Sequence, residues 1–243
     1  MPYMKRLLLL FVLLVNFTLQ ANEETDARIV ADCKKIGQYA SLGDRYYKQK
    51  QFDKAREQYE TQVGWAETCG LGDAYRATAY NNVALTYIHQ GEYLKADAWL
   101  GLSKEDKKSI YNKEKYKAQI DKAKKELEGS YVGEYWRYSG KALWDSIVVE
   151  KSGDRYTVTY DGYYVTQYSV YYGPNLGEFS AEVAIEDNHA RYVQDPKDYL
   201  NCTFDFTFKD NHILVEQTAG ESWECGFGHN VYAGGTYYRV QGK

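Results

Sequence analysis

Several signals are scarce in this sequence, and each scarcity removes a class of function. Histidine occurs only four times in 243 residues, as His89, His189, His212 and His229. No H-E-x-x-H, G-x-S-x-G, phosphate-loop or S-x-x-K pattern accompanies them. No catalytic, cofactor or metal set follows from these residues. Positive charge is not in excess either: 30 Lys and Arg stand against 34 Asp and Glu, for a formal net charge of −4. The basic footprint that nucleic acid requires is therefore missing. Long apolar runs are absent after Val15, whereas a helical bilayer span takes roughly 20 residues.

The one apolar run lies at the start. Lys5 and Arg6 precede Leu7 to Val15, and Ala21 stands before the polar Asn22-Glu23-Glu24. This pattern is that of a secretory signal peptide over residues 1–21, with cleavage after Ala21. Cys33 follows Val-Ala-Asp and lies well past the apolar run, so a lipid-modified N-terminus is not expected. Loss of Lys5 and Arg6 takes the net charge from −4 to −6. The expectation is an exported protein, periplasmic or secreted, without stable membrane insertion after cleavage.

Composition then divides the chain at Gly129-Ser130. The stretch YASLGDRYYKQKQFDKAREQY, Tyr39 to Tyr59, places Tyr39, Leu42, Gly43 and Tyr46 ahead of Ala55 and Tyr59. Small Gly43 and Ala55 let two helices approach, and the larger side chains fill the space between them. A second copy carries Tyr80, Val83, Ala84 and Tyr87, then Ala96 and Leu100. This spacing resembles the tetratricopeptide repeat. Gln62 stands at the later small position, and no proline closes the first unit near Glu67. Ala55 and Ala96 are 41 residues apart, against a standard period of roughly 34. Lys104 to Leu127 recurs as Tyr116, Ile120, Ala123 and Leu127 and predicts a capping helix. The resemblance implies a docking groove lined by first-helix positions; helices that only dimerise or support the neighbouring domain are the alternative.

Four cysteines remain after export: Cys33, Cys69, Cys202 and Cys225. An oxidising compartment favours disulfides, and four cysteines allow three connectivities. If the repeat's antiparallel helices meet near Gln51, positions 33 and 69 are equidistant from the turn, which selects Cys33–Cys69. Cys202–Cys225 follows by elimination. Cys225 and His229, four apart, would be a nucleophile with its base or a pair of metal ligands only if Cys225 were free.

Beyond residue 130 the chain is rich in Tyr, Val, Thr and Gly. Runs over Tyr131–Arg137, Leu143–Glu150, Tyr156–Tyr160, Tyr163–Tyr172, Phe179–Ile185, Thr203–Phe208, Ile213–Gln217 and Val231–Val240 read as strands. Ser152-Gly153-Asp154, Asp161-Gly162, Gly173-Pro174-Asn175 and Lys209-Asp210-Asn211 read as turns. About eight short strands imply a closed antiparallel barrel or a sandwich. Gly133-Glu134-Tyr135-Trp136 resembles the entry of lipocalin-like barrels. The end Gly235-Thr-Tyr-Tyr-Arg239 is similar to that of small exported bacterial barrels, some of which inhibit lysozyme.

The predicted architecture is thus α+β: signal peptide 1–21, tetratricopeptide-like helical domain 22–129, antiparallel β-domain 130–243. Fifteen of the 26 tyrosines follow residue 130, more than a small core holds. Tyr163, Tyr164, Tyr168, Tyr171 and Tyr172 are the candidate contact residues, because tyrosine supplies stiff area with a polar tip. The functional expectation is a non-enzymatic protein-binding module without a cofactor, including an inhibitor or immunity protein against an envelope-targeting enzyme. A barrel-type carrier of an apolar or sugar ligand is the alternative, and an envelope hydrolase is a third.

Overall fold

The computed structural model describes residues 23–242, apart from 196, 198 and 199. The expected signal peptide and its expected cleavage site lie outside the described residues. Helix α1 covers residues 23–33, followed by α2 (Ile36–Lys48), α3 (Phe52–Thr68), α4 (Asp73–His89) and α5 (Tyr93–Gly101). The α2–α3 pair closes where Gly43 lies under the Tyr59 ring; a methyl group on Gly43 would stand 2.4 Å from that ring. Cys33 at the end of α1 is bonded to Cys69 at the C-terminal end of α3, with Cα atoms 5.9 Å apart. Ala55, Val63, Val83, Ala84, Trp99 and Leu100 form the buried helical core.

The segment expected as one capping helix is two: α6 (Lys107–Lys115) and α7 (Lys117–Lys125), broken at Tyr116. Asp106 caps α6 by accepting the Lys108 and Ser109 N–H groups. A buried polar network ties α6 to α4, with Asn81 Nδ2 donating to Ser109 Oγ at 2.7 Å and Asn112 Nδ2 donating to Asn81 Oδ1 at 2.8 Å.

Among the described residues eight antiparallel strands follow: β1 (Gly133–Gly140), β2 (Leu143–Ser152), β3 (Arg155–Tyr164), β4 (Asn175–Val183), β5 (His189–Val193), β6 (Thr203–Lys209), β7 (His212–Ala219) and β8 (Gly235–Gln241). Their order is β4-β3-β2-β1-β8-β7-β6-β5. The sheet curls into a nearly closed barrel, and the chain is α+β as expected. No helix among the described residues is long and apolar enough to cross a membrane.

Three expectations need correction. Tyr163–Tyr172 is not a strand: β3 ends at Tyr164, and Ser169–Tyr172 forms a one-turn helix, α8. There Thr166 N–H donates to Ser169 Oγ at 2.8 Å and Tyr168 N–H donates to Thr166 Oγ1 at 3.2 Å, a local turn that overrides the strand preference of tyrosine. Asp161-Gly162 is not a turn but continuous β3. Glycine is needed there because a Cβ would stand 1.8 Å from the Tyr160 hydroxyl. Strand β5 was not expected at all. It follows Asp187 and Asn188, both left-handed at φ 49° and 66°, which build a tight hairpin.

Inside the barrel, Tyr160, Phe179, Phe204, Phe227 and Tyr237 are buried and in ring contact, Phe179 and Phe204 at 4.6 Å between centroids, and Tyr135 is buried in the same core. Each such ring contributes roughly 1.5–3 kcal/mol on burial. The opposite face of β1 and β2 is aromatic too. Trp136, Tyr138 and Trp144 point outward and join the helical core. These strands are covered on both faces, so aromatics occur at both parities.

Candidate functional site

The two ends of the barrel differ. One end closes with short hairpins, among them Gly153-Asp154 between β2 and β3 and Asp210-Asn211 between β6 and β7. The other carries the long connections β3–β4, β5–β6 and β7–β8, together with the β1–β2 hairpin. Long loops on a rigid barrel are where recognition residues concentrate.

These loops are held together. Cys202 and Cys225 are bonded with Cα atoms 5.0 Å apart. Beside them Asn201 N–H donates to the Glu224 carbonyl at 2.9 Å, and Gln194 Nε2 donates to the Cys225 carbonyl at 3.1 Å. Asn175 Nδ2 donates to the His229 carbonyl at 2.7 Å, and Gly228 N–H to the Leu176 carbonyl at 2.7 Å, which joins the β7–β8 loop to β4. The disulfide removes Cys225 as a nucleophile or metal ligand. Both bridges match the pairing expected from the sequence, and they point to an oxidising, exported environment.

Most of the barrel's large exposed apolar side chains gather at this end. Tyr172 is 75% exposed, Trp223 70%, Leu176 61% and Tyr232 52%, with Tyr164 and Val193 nearby in the same rim. Leu214 and Tyr238 are the exceptions among the described residues of the barrel. Such a gathering of rings on braced loops is unusual for a bare surface and is suited to partner contact.

The five candidate tyrosines separate by role. Tyr164 and Tyr172 are exposed. Tyr163 is half-buried opposite Leu176 in the β3–β4 register, and its N–H donates to Asp145 Oδ1 at 2.8 Å. Tyr168 is half-buried in the turn before α8. Tyr171 turns to the helices: its hydroxyl donates to Asp32 Oδ2 at 2.6 Å, Arg28 lies 4.3 Å over its ring, and its ring meets Trp65 edge-on at 5.8 Å. Desolvation first and the Asp32 carboxylate second push its phenol up to about 12. Trp223, Leu176 and Tyr232 carried no sequence signal beyond being large and apolar between turn residues.

Below the rim lies a buried ion pair. Asp145 accepts Arg137 Nε at 2.9 Å and is further bonded by Arg137 Nη2, Ser139 Oγ and the Tyr163 N–H. Arg137 also donates to the carbonyls of Gly234 and Tyr232. Every strong acceptor of the carboxylate is engaged, so this pair positions loops and has no free lone pair for chemistry. Glu182 accepts Ser152 Oγ at 2.9 Å, while Glu186 and Asp187 form the exposed hairpin before β5. Among the described residues no group of three or more His, Cys, Asp or Glu is placed to hold a metal ion.

The first-helix positions Tyr80 and Tyr87 face the barrel's own strands. Tyr80 meets Tyr138 at 6.3 Å and Tyr87 meets Trp136 at 6.4 Å, both edge-on. That side of α4 thus supports the barrel. In comparisons with family models, curated proteins and solved structures, nothing matches this chain.

Proposed function

We propose that this chain is an exported, non-enzymatic recognition protein that holds a protein partner with the aromatic loop end of its barrel. The observation that carries the reading is the concentration of Tyr164, Tyr172, Leu176, Trp223 and Tyr232 at the loop end of the barrel, where Cys202–Cys225 braces the β5–β6 and β7–β8 connections. Rigid aromatic side chains lose little conformational entropy on binding, and pre-ordered loops lower that cost further. The helices, read as tetratricopeptide-like hairpins, serve as the barrel's support. Likeness of the barrel end to exported inhibitors makes an envelope-acting enzyme, such as a lysozyme, the partner class to test first. A carrier would need space within the barrel, where Tyr160, Phe179, Phe204 and Tyr237 are packed ring on ring.

The test is retention of periplasmic proteins on the leaderless chain and on its Tyr172→Ala/Trp223→Ala/Tyr232→Ala variant. The expected result is a protein held by the first and released by the second, with both baits giving the same circular dichroism. Equal retention by both would remove the loop end as the site. A small molecule released from the purified, protein-free barrel would replace this reading with the carrier.

A further inference from the structure

A separate cleft of about 590 Å³ opens between α5–α7 and the outward face of β1, β2 and β8. Its size is within the roughly 300–1,000 Å³ typical of small-ligand sites. The charge of its lining runs against that of the chain. Among the described residues that line it, Asp97 is the one carboxylate, bound by Lys113 Nζ at 2.7 Å and Lys124 Nζ at 2.8 Å. Burial works against its ionisation, but those two ammonium groups hold its carboxyl below the usual range. Lys104, also in the lining, is exposed and has no ion-pair partner among the described residues. Arg239 is buried and spends its hydrogen bonds on neutral oxygens: Tyr135 Oη, at 2.8 Å from Nε, and the carbonyls of Leu127 and Ser130. Arg137 is neutralised by Asp145.

Three lysines, Lys104, Lys113 and Lys124, therefore share one carboxylate in the cleft, in a chain whose net charge is −4. Their field is that of an anion site. Each ammonium on Asp97 has further donors to offer a second acceptor. The sheet wall has a different character. Trp136 and Trp144 line it, and the Trp144 indole N–H is buried without an acceptor. Asn211, Thr236 and the exposed Tyr238 add neutral donors and acceptors. Anion-seeking lysines opposite indoles and hydroxyl-bonding groups suit a ligand with a charged group on a hydroxylated ring.

We propose that this cleft binds an anionic saccharide, one or two sugar units carrying a carboxylate or a phosphate. The charged group sits on Lys104, Lys113 and Lys124, and the ring lies along the Trp136–Trp144 wall. This site is independent of the barrel's loop end.

The leaderless chain is titrated calorimetrically with a uronic-acid disaccharide, glucose 6-phosphate, maltose and inorganic phosphate. At least one anionic sugar is expected to bind saturably, with maltose and inorganic phosphate at least about tenfold weaker, or about 1.4 kcal/mol. The two anionic arms identify which charged group the site takes. Lys104→Glu and Tyr238→Ala alter exposed side chains, and their folding is checked by circular dichroism. Each is expected to weaken the anionic sugar at least tenfold. Absence of saturable binding by both anionic sugars overturns the proposal. So does binding of inorganic phosphate as tight as that of the sugar phosphate, or affinity unchanged in both variants.

Discussion

The Glu67 carboxylate at the end of α3 accepts the Lys141 N–H at 2.5 Å, across the seam between helices and barrel. The same carboxylate receives the Tyr80 hydroxyl at 2.6 Å and the Tyr138 hydroxyl. Tyr138 Oη in turn accepts the Ala142 N–H at 3.0 Å. Lys141 and Ala142 are left-handed, at φ 52° and 66°, a conformation that costs non-glycine residues energy. Glu67 therefore compensates a strained hairpin as well as joining the two halves. Glu67→Ala is expected to cost roughly 2–4 kcal/mol, because several donors lose their acceptor together. Glu67→Gln keeps one oxygen for the tyrosines but sets its NH2 against Lys141 N–H, and should cost less. Urea midpoints of the three proteins check the order.

Glu60 on α3 predicts a pH dependence. Desolvation raises its carboxyl to about 7; Arg56 opposes and Glu57 adds to the shift. Tyr87 faces it from α4, with Arg56 4.2 Å over that ring and Lys95 of α5 further out at 5.9 Å. Glu92 and, from the barrel, Glu134 also act on Tyr87. A carboxyl whose folded value exceeds its unfolded one binds its proton more tightly in the folded state. Its contribution is full below about 4.5 and is lost as pH rises through about 7. The stability difference across that window is about 2–3 kcal/mol. Glu60→Gln should flatten the curve between these limits and gain stability at pH 8. Denaturant unfolding at pH 5, 6, 7 and 8 measures it, and an unchanged slope in the variant would refute the assignment.

How much of this was legible in the sequence depended on whether a signal was local. Cys33–Cys69 could be read because an antiparallel pair hinged at Gln51 fixes which positions face each other. Phe204, Phe206 and Phe208 alternate, and they are buried as that alternation requires. Gly162 misled because glycine marks a turn and a close ring approach with the same letter. The seam was written in the sequence as aromatics at both parities, Tyr135 beside Trp136 and then Tyr138. That pattern announces double-sided burial but does not name the covering element. That Leu176, Trp223 and Tyr232 join Tyr164 and Tyr172 in one rim was illegible because strand order, not sequence distance, brings these residues to one end.

Gly43→Ala tests the helical hairpin. The added methyl would stand 2.4 Å from the Tyr59 ring, which is buried and anchored by its hydroxyl donating to Asp44 Oδ1 at 2.8 Å. The ring cannot move aside without losing that bond. A loss of about 1–3 kcal/mol is expected from the overpacking. Recovery of most of it in Gly43→Ala/Tyr59→Leu, read from thermal unfolding, would locate the clash at this contact.

The two disulfides should have separable effects, since they brace different halves. Cys202→Ser/Cys225→Ser removes a cross-link closing a 23-residue separation, and Cys33→Ser/Cys69→Ser one of 36. The chain-entropy relation gives about 3–4 kcal/mol for each. Their stability costs should be similar, but their functional costs should not. Without Cys202–Cys225 the β5–β6 and β7–β8 connections lose their brace, so amides over residues 220–234 should exchange faster and partner retention should fall. Without Cys33–Cys69 faster exchange should be confined to α1–α3, and the loop end should keep its partner. Hydrogen exchange and the retention assay on both variants decide this. Equal loss of partner in the two would mean that the helical half, and not the braced rim alone, makes the contact.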